Sequence, residues 1–155
     1  SLSFNMKKFV EENNFKSTYA AVNLSVKKNA KLIIMSSTSV YGTKKKTIDE
    51  NCLETELAPQ SPYAEVKLKE ENLVKITVKE KQLKSVTLRL GTIFGISPGM
   101  RFHTAVNKFC WQAVMKEPIT VWKTALEQKR PYLDLLDLGN AIAHIIQKDL
   151  FNNKI

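Results

Sequence analysis

Tyr63 and Lys67 stand four residues apart in Tyr63-Ala64-Glu65-Val66-Lys67. On a helix, that spacing puts both side chains on one face. An ammonium beside a phenol favours the phenolate and draws a reference pKa of about 10 toward neutrality. A tyrosine so placed gives or takes a proton at a substrate hydroxyl or carbonyl. Tyr41 and Lys45 share the spacing, but Gly42 falls between them in a segment without helical pattern. Residues four apart in a loop need not face each other, so Tyr63 and Lys67 are the pair to follow. Hydroxyl-bearing residues also cluster in Ser36-Ser37-Thr38-Ser39-Val40-Tyr41-Gly42, and Thr92 lies in Gly91-Thr92-Ile93-Phe94-Gly95. Hydroxyls gathered where a strand stops orient a ligand oxygen, although serine and threonine are ordinary turn residues too.

Several elements must position these groups. From Phe4 to Lys28, apolar residues recur at mixed three- and four-residue spacings (Phe4, Phe9, Val10, Phe15, Tyr19, Val22, Val26), which predicts helix. Asn13-Asn14 interrupts the pattern, leaving one irregular helix or two. Lys31-Leu32-Ile33-Ile34-Met35, ending in Ser36-Ser37, has the character of a buried parallel strand. Thr43 to Ser61 is polar, without period, and reads as loop. Pro62 then opens a helix running from Tyr63 to Lys81, since proline is tolerated in a first turn. Ser85–Leu90 is a second strand closed by Gly91. Phe102–Met115 reads as helix with Val106, Phe109, Cys110 and Val114 on one face, Ile119–Trp122 as a short strand, and Asp137–Gln147 as a helix turning Leu138, Ile142, Ile145 and Ile146 inward. Strand and helix in alternation predict an α/β protein with a parallel sheet. Ligands of such sheets bind beyond the carboxyl ends of the strands, where the hydroxyl-bearing runs fall.

Composition narrows the function. The 155 residues carry 24 Lys+Arg against 15 Asp+Glu, a formal charge of +9, and 43% hydrophobic residues. That length and apolar content suit one domain. No apolar run approaches the roughly 18 residues of a membrane span, and the start lacks a signal-peptide pattern. Of the basic residues, only Arg89, Arg101 and Arg130 are arginines. Nucleic-acid surfaces favour arginine for bidentate contacts, and the lysines are scattered apart from Lys44-Lys45-Lys46. No nucleic-acid partner and no membrane partner are therefore expected. A basic rim attracting an anionic small molecule remains open. Cys52 and Cys110 form neither a disulfide framework nor a metal spacing, so no metal is expected and a reducing, cytoplasmic setting is. Cys110 reads as a small hydrophobe. Phe109, Trp111 and Trp122 read as core or interface residues, His103 as a surface residue and His144 as an exposed or boundary one. Glu71 reads as a packing or ion-pair residue rather than a catalytic one.

Four motifs in order carry a resemblance. They are Ser36–Gly42, then Ser61-Pro62-Tyr63-Ala64-Glu65-Val66-Lys67, then Leu88-Arg89-Leu90-Gly91-Thr92-Ile93-Phe94-Gly95, then Arg130-Pro131-Tyr132-Leu133-Asp134-Leu135-Leu136-Asp137-Leu138. This series resembles the extended short-chain dehydrogenases/reductases, and more narrowly the NAD-dependent sugar-nucleotide epimerases and dehydratases. Asn14-Phe15-Lys16-Ser17-Thr18 is similar to that family's Asn-Val-x-Gly-Thr. The resemblance implies a partial Rossmann-like, doubly wound parallel sheet, with residues 1–155 forming the central and C-terminal part of an NAD(P)-binding domain.

It also implies roles, residue by residue. Tyr63 matches the catalytic acid/base. Lys67 matches the residue that lowers its pKa and holds the nicotinamide ribose. Ser37, four before Tyr41, matches the hydroxyl that hydrogen-bonds the reacting oxygen. Asn13 or Asn14 matches a cofactor-side asparagine, and Ser36, Leu90 and Gly91 lie on the cofactor side with Ser37. Thr38 and Thr92 fall on the substrate side, and Arg130 matches the arginine that grips the nucleotide diphosphate, a role suited to its fork. The implied cofactor is NAD or NADP, and the implied substrate a nucleotide sugar handled through a transient ketone. Tyr63 would take the hydroxyl proton while hydride passes to the nicotinamide. A homodimer through the helices Phe4–Lys28 and Tyr63–Lys81 is the family's habit.

The departures shape the expectation further. The glycines at 42, 91, 95, 99 and 139 include no G-x-x-G-x-x-G phosphate loop, so the chain is expected to be the middle of a longer enzyme. Thr38 and Ser39 stand where water-eliminating relatives carry Asp-Glu. Neither hydroxyl serves as an acid or base near neutrality, which favours epimerisation or oxidoreduction over dehydration. Pro131 replaces the usual aspartate, and Asp134 stands where histidine is common. A dehydratase-type relative and a non-catalytic dinucleotide-binding regulator of the same fold remain the alternatives.

Overall fold

A computed structural model describes residues 4–42, 47–127 and 129–155; Lys44-Lys45-Lys46 lie outside them. Helix α1 (Phe4–Lys28) leads to strand β1 (Leu32–Ser37), helix α2 (Pro62–Lys81) and strand β2 (Ser85–Leu90). Strand β3 (Thr92–Phe94), helix α3 (Ala105–Val114), strand β4 (Tyr132–Asp134) and helix α4 (Leu135–Gln147) follow. The protein is α/β, with β1 pairing parallel to β2 and β3 parallel to β4. Two compact units result: the chain up to Leu90 with Asp149–Ile155, and Gly91–Lys148.

The first unit is a β-α-β crossover with α1 packed on α2. Its register sets Leu32 beside Ser85, Ser36 beside Arg89 and Ser37 beside Leu90. Asn13-Asn14 does not split α1, which is one helix ending at left-handed Asn29. Lys27 and Lys28 in its last turn complement the helix dipole. Ser61 caps α2 by accepting a hydrogen bond from the Ala64 N–H, and Pro62 occupies the first turn, where no N–H is required. Val22, Ile34, Val74 and Leu83 form the core, flanked by Val26, Leu32, Leu73 and Val78. Only one side of α1 is covered, so Phe9, Tyr19 and Leu24 stay exposed. The free edge of β2 is taken by the C-terminal segment: Asn153 N donates to Ser85 O at 2.8 Å and Thr87 N to Lys154 O at 3.0 Å.

The second unit departs more from the periodicity. Segment Ile119–Trp122 is not a strand. Its neighbouring polar groups bond to α3 instead: Gln112 Nε2 donates to Pro118 O at 2.7 Å, and Lys108 Nζ to Thr120 Oγ1 at 2.9 Å. The buried positions of α3 are Asn107 and Gln112, while Cys110 and Trp111 are exposed and Val114 is 80% exposed. Amide side chains that tie down the flanking loops thus displace the expected apolar face. Trp122 is exposed as well, which removes it from the core. On α4, Ile145 is buried and Leu138 and Ile142 are half-buried, but Ile146 is exposed. Asp134 caps α4 by accepting from the Leu136 N–H at 2.8 Å.

Two glycines differ in what they permit. Gly42 has φ +71, and a Cβ there would collide with Ala58. Gly139 is helical, and a Cβ there meets nothing within 4 Å. Gly42→Ala is expected to cost about 1–3 kcal/mol, whereas Gly139→Ala gains about 0.5–1 kcal/mol from helix propensity. Urea unfolding of both variants checks the opposite signs.

Candidate active site

The carboxyl end of β1 runs directly into a tight turn, Thr38–Tyr41. Ser37 caps it, its Oγ accepting from the Ser39 N–H at 3.2 Å and lying 3.0 Å from Ser39 Oγ. Thr38 Oγ1 donates to Leu90 O at 3.3 Å, joining the ends of the two paired strands. Helix α2 packs against this turn and begins with the exposed Tyr63, 44% accessible. One turn later the Lys67 ammonium sits over the Tyr63 ring, 5.7 Å from its centroid. The four-residue spacing therefore brings phenol and ammonium together on one face of the helix.

The same helix also carries a buried charged cluster. Arg89 on β2 donates from Nε to Glu71 Oε1 at 3.0 Å and from Nη2 to Oε2 at 2.7 Å, a bidentate pair. Ser36 Oγ donates to Glu71 Oε1 at 2.5 Å. The Arg89 guanidinium lies 4.9 Å from the centroid of the Tyr41 ring, within cation–π range. Both side chains of the ion pair are nearly sealed, Glu71 at 1% and Arg89 at 5% exposure. Burial opposes the guanidinium's charge, but hydrogen bonding and attraction from Glu71 and Tyr41 outweigh it and hold its proton more tightly than in water. Glu70 is equally buried, and its Oε2 accepts from Lys67 Nζ at 2.9 Å.

The remaining expected site residues are divided between the two units. Asn13 is exposed and Asn14 half-buried in the first half of α1. Ser36, expected on the cofactor side, is buried and its hydroxyl is committed to Glu71. Leu90 closes β2 and offers its carbonyl to Thr38. In the second unit, Gly91 lies so close to Pro131 that a Cβ would stand 2.7 Å from its carbonyl oxygen. Thr92 opens β3, its N–H donating to Pro131 O at 2.9 Å, and exposed Arg130 precedes that proline. Sequence reasoning treated Glu71 as an ion-pair residue, which it is, but missed Glu70. A signal was present: Tyr63, Lys67, Glu70 or Glu71, and Val74 repeat at helical spacing, so the acids occupy an inward stripe.

Residues 3–154 match the NAD dependent epimerase/dehydratase family. The chain belongs to that family. It is 30% identical over 118 residues to an uncharacterized UDP-glucose epimerase, YtcB, of Bacillus subtilis (strain 168), which covers 75% of this chain and 35% of that protein. Among solved structures, it is similar to UDP-glucuronic acid 4-epimerase from Bacillus cereus in complex with UDP-glucuronic acid and NAD. There the TM-score is 0.74, identity is 26%, and 87% of this chain and 41% of that one are covered. It is also similar to dTDP-glucose 4,6-dehydratase from Bacillus anthracis in complex with NAD, at TM-score 0.76 and 25% identity, over 89% of this chain and 44% of that one. The chain thus spans less than half the length of these relatives.

Removing one member of the buried pair leaves the other charge without compensation. Arg89→Met is expected to cost about 3–5 kcal/mol, and the double variant Arg89→Met/Glu71→Met less than that single change. Denaturant melts of the three proteins check the order.

Proposed function

We propose that the chain is the proton-transfer part of an NAD(P)-dependent enzyme that epimerises or oxidises a nucleotide sugar through a transient keto intermediate. Residues 1–155 then form the central and C-terminal part of its Rossmann-type domain. The Lys67 ammonium over the accessible Tyr63 ring, on the helix that packs against the turn capped by Ser37, carries this reading. Tyr63 takes the proton from the sugar hydroxyl and later returns it. Lys67 stabilises the phenolate through its charge. Ser37 Oγ, already accepting from a backbone N–H, keeps its own proton free to donate to the reacting oxygen.

The residues present suit a dinucleotide. Lys67 has three N–H donors, of which Glu70 uses one, leaving two for ribose hydroxyls. When bound, NAD or NADP supplies the acceptor for the sugar's hydride. Asn13, Asn14, Leu90 and Gly91 belong on the cofactor side, Ser36 only through its backbone, and Thr38, Thr92 and Arg130 on the substrate side. The solved relatives bound to NAD, one of them also to UDP-glucuronic acid, support this assignment. Exposed Phe9, Tyr19, Leu24 and Ile76 on α1 and α2 support a homodimer through those helices. No helix among the described residues is long and apolar enough to cross a membrane. Both cysteines are free, and we place the protein in the cytoplasm.

The test is turnover of UDP-sugars with NAD or NADP, by the chain alone and joined to an amino-terminal half bearing a G-x-x-G-x-x-G loop. Tyr63→Phe should lower kcat by about 10²–10⁴-fold, followed by cofactor absorbance and by the epimer formed. Equal turnover by wild type and Tyr63→Phe would overturn the assignment. A dehydrated keto-deoxy product would favour the dehydratase alternative, and dinucleotide binding without turnover the regulator.

A further inference from the structure

Glu70 has no place in the chemistry above, yet its setting is unusual. It is 1% exposed, and its Oε2 accepts from Lys67 Nζ at 2.9 Å. Its Oε1 is also buried and has no hydrogen-bond partner among the described residues. Burying a carboxylate with one oxygen unsatisfied is costly. Helix α2 gains little from a single ion pair three residues apart. The one group that gains is the Lys67 ammonium, which ends a flexible four-carbon stem with many rotamers. Its side chain is 16% exposed, and the carboxylate holds it where it also covers the Tyr63 ring.

We propose that Glu70 is a positioning residue for Lys67: its buried carboxylate anchors the ammonium over Tyr63, so that the charge is in place before cofactor and sugar arrive. This rests on the assignment of Tyr63 and Lys67 as the proton-transfer pair. The anchor works through preorganisation: a lysine free to sample its rotamers would face the phenol only part of the time. The unsatisfied oxygen is then a stability sacrifice made for the site, and stability and activity should separate when Glu70 is changed.

Two measurements test it. The first is the rate at which an amine-acetylating reagent modifies Lys67 in the chain, relative to exposed Lys69, read by peptide mass spectrometry. Glu70→Ala should speed Lys67 labelling, and Glu70→Gln, which keeps an acceptor oxygen at the same reach, should label close to wild type. The second is UDP-sugar turnover with NAD. Glu70→Ala should lower kcat by about tenfold to a hundredfold with KM nearly unchanged and the melting temperature unchanged or raised, and Glu70→Gln should restore most of kcat. Equal Lys67 labelling in wild type and Glu70→Ala, wild-type kcat in Glu70→Ala, or a kcat loss accompanied by a matching loss of melting temperature would each overturn the proposal. A Tyr63→Phe variant as active as wild type would instead sink the parent assignment, while the labelling still decides whether Glu70 anchors Lys67.

Discussion

A single carboxylate fixes the geometry on which the candidate site stands. Glu71, projecting from the middle of α2, receives Arg89 from β2 through two hydrogen bonds and Ser36 from β1 through a third. Because Ser36 and Arg89 are register partners, the carboxylate pins the helix across both strands at one level of the sheet. Three elements that hydrophobic packing alone would allow to slide are thereby locked in register. Such a clasp specifies rather than stabilises: desolvating both charges consumes most of what their attraction returns.

Tyr63 and Lys67 inherit that precision because they lie two turns and one turn, respectively, before Glu71 on the same helix. Ser37 inherits it because it follows Ser36 in the chain. The core of Val22, Ile34, Val74 and Leu83 lies farther along α2 and toward the start of β1. Apolar burial thus secures one end of the β-α-β unit, and polar contacts set the end where chemistry is expected. This division matches the general placement of ligands beyond the carboxyl ends of parallel strands.

Much of this was legible in the residues. A continuous apolar run ending in serines gave β1, the alternating Val86, Leu88 and Leu90 closed by Gly91 gave β2, and Ser61-Pro62 marked the start of α2, because capping chemistry is local. Tyr63 and Lys67 were found by helical spacing, and the structure stacks them. What escaped depended on tertiary partners. Strands β3 and β4 have three residues each, too few for a period to register. On α3, Asn107 and Gln112 face inward because loop carbonyls need their amide donors, and no periodicity rule anticipates a polar side chain buried to serve a flanking loop carbonyl. Ile119–Trp122 has strand-like composition, but strand formation needs a partner edge as well as β-branched residues. Glu70 was overlooked for a related reason: a glutamate beside lysines reads as solvated surface until its burial is known.

The turn after β1 bears on the kind of reaction the site favours. Elimination of water needs an acid and a base near the reacting carbon, and the two residues after Ser37 are hydroxyls already engaged. Thr38 donates to the Leu90 carbonyl, and Ser39 directs both its N–H and its hydroxyl at Ser37 Oγ. A hydroxyl cannot take a proton as a base near neutrality, and these two are bound up in holding the turn. Their effect is on Ser37: with a backbone N–H filling one lone pair of its oxygen, its own proton is the natural donor to a substrate oxygen. One donor hydroxyl, one phenol and one ammonium suffice to move a proton reversibly at a single hydroxyl-bearing carbon. That inventory suits the proposed interconversion of an alcohol and a ketone, and neither Thr38 nor Ser39 supplies a base to remove a second proton.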